Sequence, residues 1–123
     1  MPILNYQQKF APLVESGKKR QTIRAMRKRP FQEGERLYHY TGLRTKKCRK
    51  LLENNCKLAH LIEITTDKIQ VFRYSIIFGK IEILFKDNFA QLDGFEDWPE
   101  MKAWFIKHHK IHIKPFHGQL IKW

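Results

Sequence analysis

Gly17-Lys18-Lys19-Arg20-Gln21-Thr22-Ile23-Arg24 gathers amines, guanidinium groups and a hydroxyl into one short stretch. On a strand alternate side chains share a face, so Thr22 and Arg24 look one way and Ile23 looks the other way, into the core. An amine, a hydroxyl and a planar cation around one small region suit anions and carbonyl groups. Nucleophilic chemistry on a bound carbonyl group needs a nucleophile, a base to activate it and donors for the developing oxyanion. A threonine hydroxyl is a poor nucleophile until a neighbour removes its proton. A lysine does that only when its pKa is lowered, and Lys18, Arg20 and Arg24 push Lys19 in that direction. Lys19 and Thr22 are three residues apart, so on a regular strand they face opposite ways. Their joint action requires Lys19 to sit in an irregular loop before the strand.

The elements around this stretch follow from spacing. Tyr6, Phe10, Leu13 and Val14 recur at helical intervals, with a short helix starting near Phe10, Pro12 in its first turn and Gly17 as its C′ glycine. Gln21–Ala25 reads as a strand, Met26–Pro30 as a charged loop, and Gly34 as a turn into a strand over Arg36–Tyr40. Thr41–Lys50 reads as a polar, basic connection with room for one helical turn. Further strands are expected over Leu58–Thr65, Ile69–Tyr74, Gly79–Phe85 and Phe116–Trp123. Asn88–Leu92 suggests a helical turn. Asp97-Trp98-Pro99-Glu100 has the pattern of a capping box ahead of an amphipathic helix carrying Trp98, Met101, Trp104, Phe105 and His108. The expected class is α+β, most simply a small barrel of about five or six strands with two or three short helices at its ends.

Charge is distributed unevenly along the 123 residues, whose formal net charge is +12. Met1–Lys50 carries 14 basic and 3 acidic residues, whereas Leu51–Trp123 carries 10 and 9. An excess so confined favours an anionic partner, because neutralising phosphates releases counterions. The length and an apolar content of 42% suit one globular domain. The sequence has no apolar run long enough for a transmembrane helix and no signal-like start, so the expectation is a cytoplasmic protein, monomeric or weakly dimeric. Cys48 and Cys56 are expected as free thiols of a reducing compartment, with a disulfide between them as the alternative.

Four segments together resemble an ASCH domain, a branch of the PUA-like β-barrel superfamily. They are Gly17–Arg24, Gly34 before Leu37–Tyr40, Phe89-Ala90-Gln91-Leu92-Asp93-Gly94-Phe95, and Gly118-Gln119-Leu120-Ile121-Lys122-Trp123. The resemblance covers most of the chain and is poor over residues 50–85. It implies contact with RNA or modified nucleosides. One bacterial branch hydrolyses the acetyl amide of N(4)-acetylcytidine with a lysine, a threonine and a glutamate, and these fall on Lys19, Thr22 and Asp93. Another ASCH protein cleaves single-stranded RNA with a different residue set. On the amidohydrolase reading Lys19 is the base or proton shuttle and Thr22 the nucleophile. Asp93 orients Lys19 or handles the leaving amine, and Arg24 or backbone amides face the oxyanion. Asp93 favours the charged form of Lys19 and so opposes its basic neighbours.

The binding surface for RNA, a nucleotide or a nucleoside is expected from Lys18, Arg20, Arg24, Arg27, Lys28 and Arg29, with a second cluster of Arg44, Lys46, Lys47 and Arg49 as phosphate positioners. Tyr40 offers a stacking platform near Thr22, or else packs inside the barrel. No metal or cofactor is implied. His108, His109, His112 and His117 lack a two-histidine helical spacing, and the cysteines lack a paired CxxC. Three function classes remain: an acyl-nucleoside hydrolase, a non-catalytic RNA-binding module or nuclease, and a basic inhibitor of an acidic macromolecule.

Overall fold

Ile3–Tyr6 forms β1, with Leu4 and Tyr6 buried and Ile3 and Asn5 exposed. Tyr6 therefore ends a strand, although its spacing to Phe10 is helical. The computed structural model describes residues 2–72 and 80–123. Helix α1, Ala11–Glu15, has Phe10 at its N-cap and proline in its first turn, as the sequence requires. Gly17 follows the cap with φ +80°, a conformation that suits glycine. The Gly17 N–H donates to Val14 O and the Lys19 N–H to Leu13 O, at 3.2 and 2.9 Å. These bonds turn the chain back on α1 and bury Lys19 ahead of β2, Gln21–Ala25.

Strand β3, Arg36–Thr41, pairs in parallel with β1 and antiparallel with β4, Arg49–Asn55. The basic connection is thus a turn over residues 42–48, and Arg49 and Lys50 already belong to a strand. Its sequence hides this because Leu51 and Leu52 are adjacent rather than alternating. The ladder is irregular here: His39 faces Leu52 and Tyr40 faces Lys50, which leaves Leu51 as an extra residue.

The remaining elements are β5 (Leu58–Ile64), β6 (Ile69–Phe72), β7 (Lys80–Glu82), α2 (Lys86–Leu92), α3 (Trp98–His109) and β8 (Phe116–Lys122). The expected strand ends at Tyr74 and Gly79 lie outside the described residues. Helix α3 begins as its pattern dictates, with the Glu100 N–H donating to Asp97 Oδ1 at 2.9 Å.

Among the described residues the class is α+β, with eight strands in two sheets and three helices. The small sheet runs β1-β3-β4 and the large one β2-β8-β5-β6-β7. Side chains such as Leu4, Val14, Leu37, Ile62, Ile64, Met101, Phe105 and Ile121 form the core. Gly118 on β8 lets the sheet close on β2, because a Cβ there would lie 2.2 Å from the Arg24 carbonyl oxygen. No helix among the described residues is long and apolar enough to cross a membrane.

Candidate functional site

The turn after α1, the strand β2 and the end of α2 meet at a cavity of about 220 Å³. Lys19, Thr22, Arg24 and Asp93 all line it, together with Tyr6, Phe10, Phe95, Trp104 and His109. Lys19, Thr22 and Asp93 are 3%, 4% and 5% exposed. Lys19 stands in irregular backbone before β2, which removes the conflict of facing that a continuous strand would impose.

Asp93 caps the C-terminus of α2, where carbonyl groups lack helical partners. Lys19 Nζ donates to the Asp93 carbonyl oxygen at 2.5 Å and lies 3.5 Å from its Oδ1. A cation there also complements the negative end of the helix. Gln21 Nε2 donates to the same Oδ1 at 3.4 Å. The amine is otherwise enclosed by rings, 5.1 Å from the Phe10 centroid and 6.0 Å from that of Tyr6. Phe10 in turn meets Phe95 edge to face.

Burial is the largest influence on both partners. It pushes the Lys19 ammonium down, against the opposing pull of Asp93, and Arg24 pushes the same amine further down. It pushes the Asp93 carboxyl up, against Lys19 and Gln21. The hollow holds two cations and one carboxylate. Arg24 keeps its proton because a guanidinium does not deprotonate in proteins. Burial and Arg24 thus both favour the neutral Lys19 amine, while Asp93 favours its charged form.

Arg24 Nε donates to Thr22 Oγ1 at 3.1 Å. A donor on that oxygen stabilises negative charge there and makes the hydroxyl easier to deprotonate. The Trp104 Nε1–H is buried without an acceptor among the described residues.

The other expected contact residues are dispersed. Lys18 and Arg20 line a separate groove of about 580 Å³ with Gln21, Lys57, Lys122 and Trp123. Arg27, Lys28 and Arg29 border a further hollow with Pro2 and Glu35, and the Arg27 guanidinium lies over Phe31 at 3.8 Å. Arg44, Lys46 and Lys47 are exposed in the turn after β3, and Arg49 pairs with Glu15 at 2.6 Å. Tyr40 is not in the cavity wall; on β3 the buried positions are Leu37, His39 and Thr41.

Cys48 and Cys56 are free thiols, one exposed and one buried. Among the described residues no group of three or more His, Cys, Asp or Glu is placed to hold a metal.

Sequence reasoning missed Tyr6, Trp104 and His109 as cavity walls. Trp104 and His109 were legible only as a helix face and a helix end. Lys57 and Lys122 were missed as groove residues because they lie far apart in the chain. Comparison with protein-family models, with curated proteins and with solved structures gives no match.

Proposed function

We propose that the chain is an ASCH domain, its two sheets forming a PUA-like barrel, that hydrolyses an acyl amide of a cytidine-type nucleoside at the Lys19, Thr22 and Asp93 cavity. The observation that carries this reading is the meeting of those three side chains and Arg24 at one buried hollow. The size supports it: pockets for drug-sized ligands span about 300–1,000 Å³, so about 220 Å³ suits a single base with its acyl group. Aromatic walls give such a ring apolar faces, and the Trp104 N–H, without an acceptor among the described residues, is a donor for a heterocycle oxygen.

The reaction runs in two halves. The neutral Lys19 amine takes the Thr22 hydroxyl proton while Oγ1 bonds to the acyl carbon. The carbon–nitrogen bond then breaks, Lys19 returns the proton to the departing amine, and cytidine leaves an acetyl ester on Thr22. Water attacks that ester with Lys19 again as base, releasing acetate and restoring the hydroxyl. Asp93 holds the amine in place, and the Arg24 charge favours the oxyanion. Purified protein incubated with N(4)-acetylcytidine should release cytidine and acetate in equal amounts. No release above the uncatalysed rate would refute the reading.

A second reading, a phosphate-tracking RNA module, is favoured by the groove. Lys18, Arg20, Lys57 and Lys122 converge there with no acidic residue in its lining. Single-stranded RNA binding should weaken with salt at a log–log slope of about −0.7 per neutralised phosphate, so four cations give about −2.8. In fluorescence anisotropy with a short oligouridine, Lys57→Glu with Lys122→Glu should reduce that slope by about 1.4, and Thr22→Ala should leave it unchanged. An unaltered slope in the charge-reversal variant would exclude the groove.

A further inference from the structure

The groups that hold Arg24 over Thr22 run away from the cavity into the small sheet. Asn54 Oδ1 lies 2.9 Å from His39 Nε2, and His39 Nδ1 lies 2.9 Å from the Tyr6 hydroxyl. A carboxamide oxygen only accepts, so Nε2 carries the imidazole proton. Nδ1 is then bare, and the Tyr6 O–H must donate to it. With its hydroxyl so committed, the Tyr6 ring is fixed beneath its other neighbour, the Arg24 guanidinium, whose carbon is 4.9 Å from the ring centroid. The Arg24 guanidinium lies over the Tyr6 ring on this side and donates through Nε to Thr22 Oγ1 on the other.

Burial reinforces each link. His39 is fully enclosed, with the Trp123 ring 4.4 Å from its own. Burial also favours the neutral imidazole that the tautomer requires. Tyr6 is fixed from behind as well, since Thr41 Oγ1 donates to its carbonyl oxygen at 2.7 Å. A guanidinium is planar with donors in fixed directions, so holding it against a fixed ring limits where those donors point.

We infer that Tyr6 and His39 are positioning residues of this site, a buried polar chain from Asn54 that aims the Arg24 guanidinium at the Thr22 hydroxyl. The inference rests on the reading of Thr22 as nucleophile. It adds two residues that touch neither the acyl carbon nor the leaving amine in that scheme. Their effect is on the donor that makes Thr22 acidic, so it belongs to the chemical step rather than to affinity.

The test uses Tyr6→Phe, which keeps the ring and removes only the oxygen. With N(4)-acetylcytidine, kcat should fall about a hundredfold with KM unchanged. His39→Asn, which restores an acceptor near the place of Nδ1, should retain more activity than His39→Leu. Nitrogen-15 NMR of the unliganded wild type should show a bare Nδ1 and protonated Nε2 on His39, and a slowly exchanging Arg24 Nε–H signal that Tyr6→Phe abolishes. An Arg24 Nε–H signal that persists unchanged in Tyr6→Phe would overturn the inference. Should the wild type fail to turn over N(4)-acetylcytidine, the hydrolase reading falls, and the NMR comparison alone still decides whether Tyr6 and His39 position Arg24.

Discussion

Asp93→Ala should destabilise the protein by about 3–5 kcal/mol, because it removes the carboxylate that faces both Lys19 and the charged Arg24 in the cavity wall. Lys19 is 3% exposed, and its amine sits among the rings of Phe10 and Tyr6. Without the carboxylate the amine either stays charged at that cost or sheds its proton. Replacing both members, Lys19→Met with Asp93→Leu, should recover part of the loss, since apolar substitutes for a buried pair are often neutral or better but Arg24 still lacks its carboxylate. Urea denaturation of the wild type and the two variants measures this. A change within about 0.5 kcal/mol for Asp93→Ala would mean that water reaches the pair.

The same pair sets a pH dependence of stability. Lys19 is held below its ordinary value of 10.5, so between its folded pKa and 10.5 the unfolded chain binds more protons. Stability therefore rises with pH across that interval and declines as pH falls through the folded pKa. Above pH 10 the Tyr6 phenol, raised by burial, acts in the opposite sense. Asp93, raised above 3.8, likewise lowers stability as pH rises from there to its folded pKa. Lys19→Met should flatten the rise seen below pH 10.

Thr22→Val and Lys19→Met should each lower kcat for N(4)-acetylcytidine by about a thousandfold or more. Valine keeps the branched shape of threonine without its oxygen. The double variant should be no worse than the worse single one, because base and nucleophile act as a unit. Thr22→Ser should keep measurable turnover. The acid limb of the pH–rate profile should report Lys19, below the ordinary lysine range. Asp93 raises that amine's pKa, so Asp93→Asn should shift the limb to lower pH. A limb that stays put would place the base elsewhere.

Local signals in the sequence marked the elements that carry the site. Gly17 with the apolar run before it located the end of α1, the alternation over Gln21–Ala25 matched β2 at both ends, and Asp97 with Glu100 marked the start of α3. The Lys19–Asp93 contact spans 74 residues, and only the resemblance to ASCH domains brought Asp93 forward. Two strands escaped notice for physical reasons. β1 is four residues long and draws its order from a parallel ladder with distant β3, while β4 places adjacent leucines at an irregular register. Tyr40 reads from the sequence as a stacking residue, yet the strand buries His39 and turns Tyr38 and Tyr40 the other way. Without the β1–β3 ladder, nothing in the sequence joins Tyr6 to His39.

The most direct measurement is peptide mass mapping of the protein quenched during turnover of N(4)-acetylcytidine. Free cytidine is expected together with a transient acetyl group on Thr22, both lost in Thr22→Val. Cytidine released at an undiminished rate by Thr22→Val, or an acetyl group carried only by another residue, would contradict this.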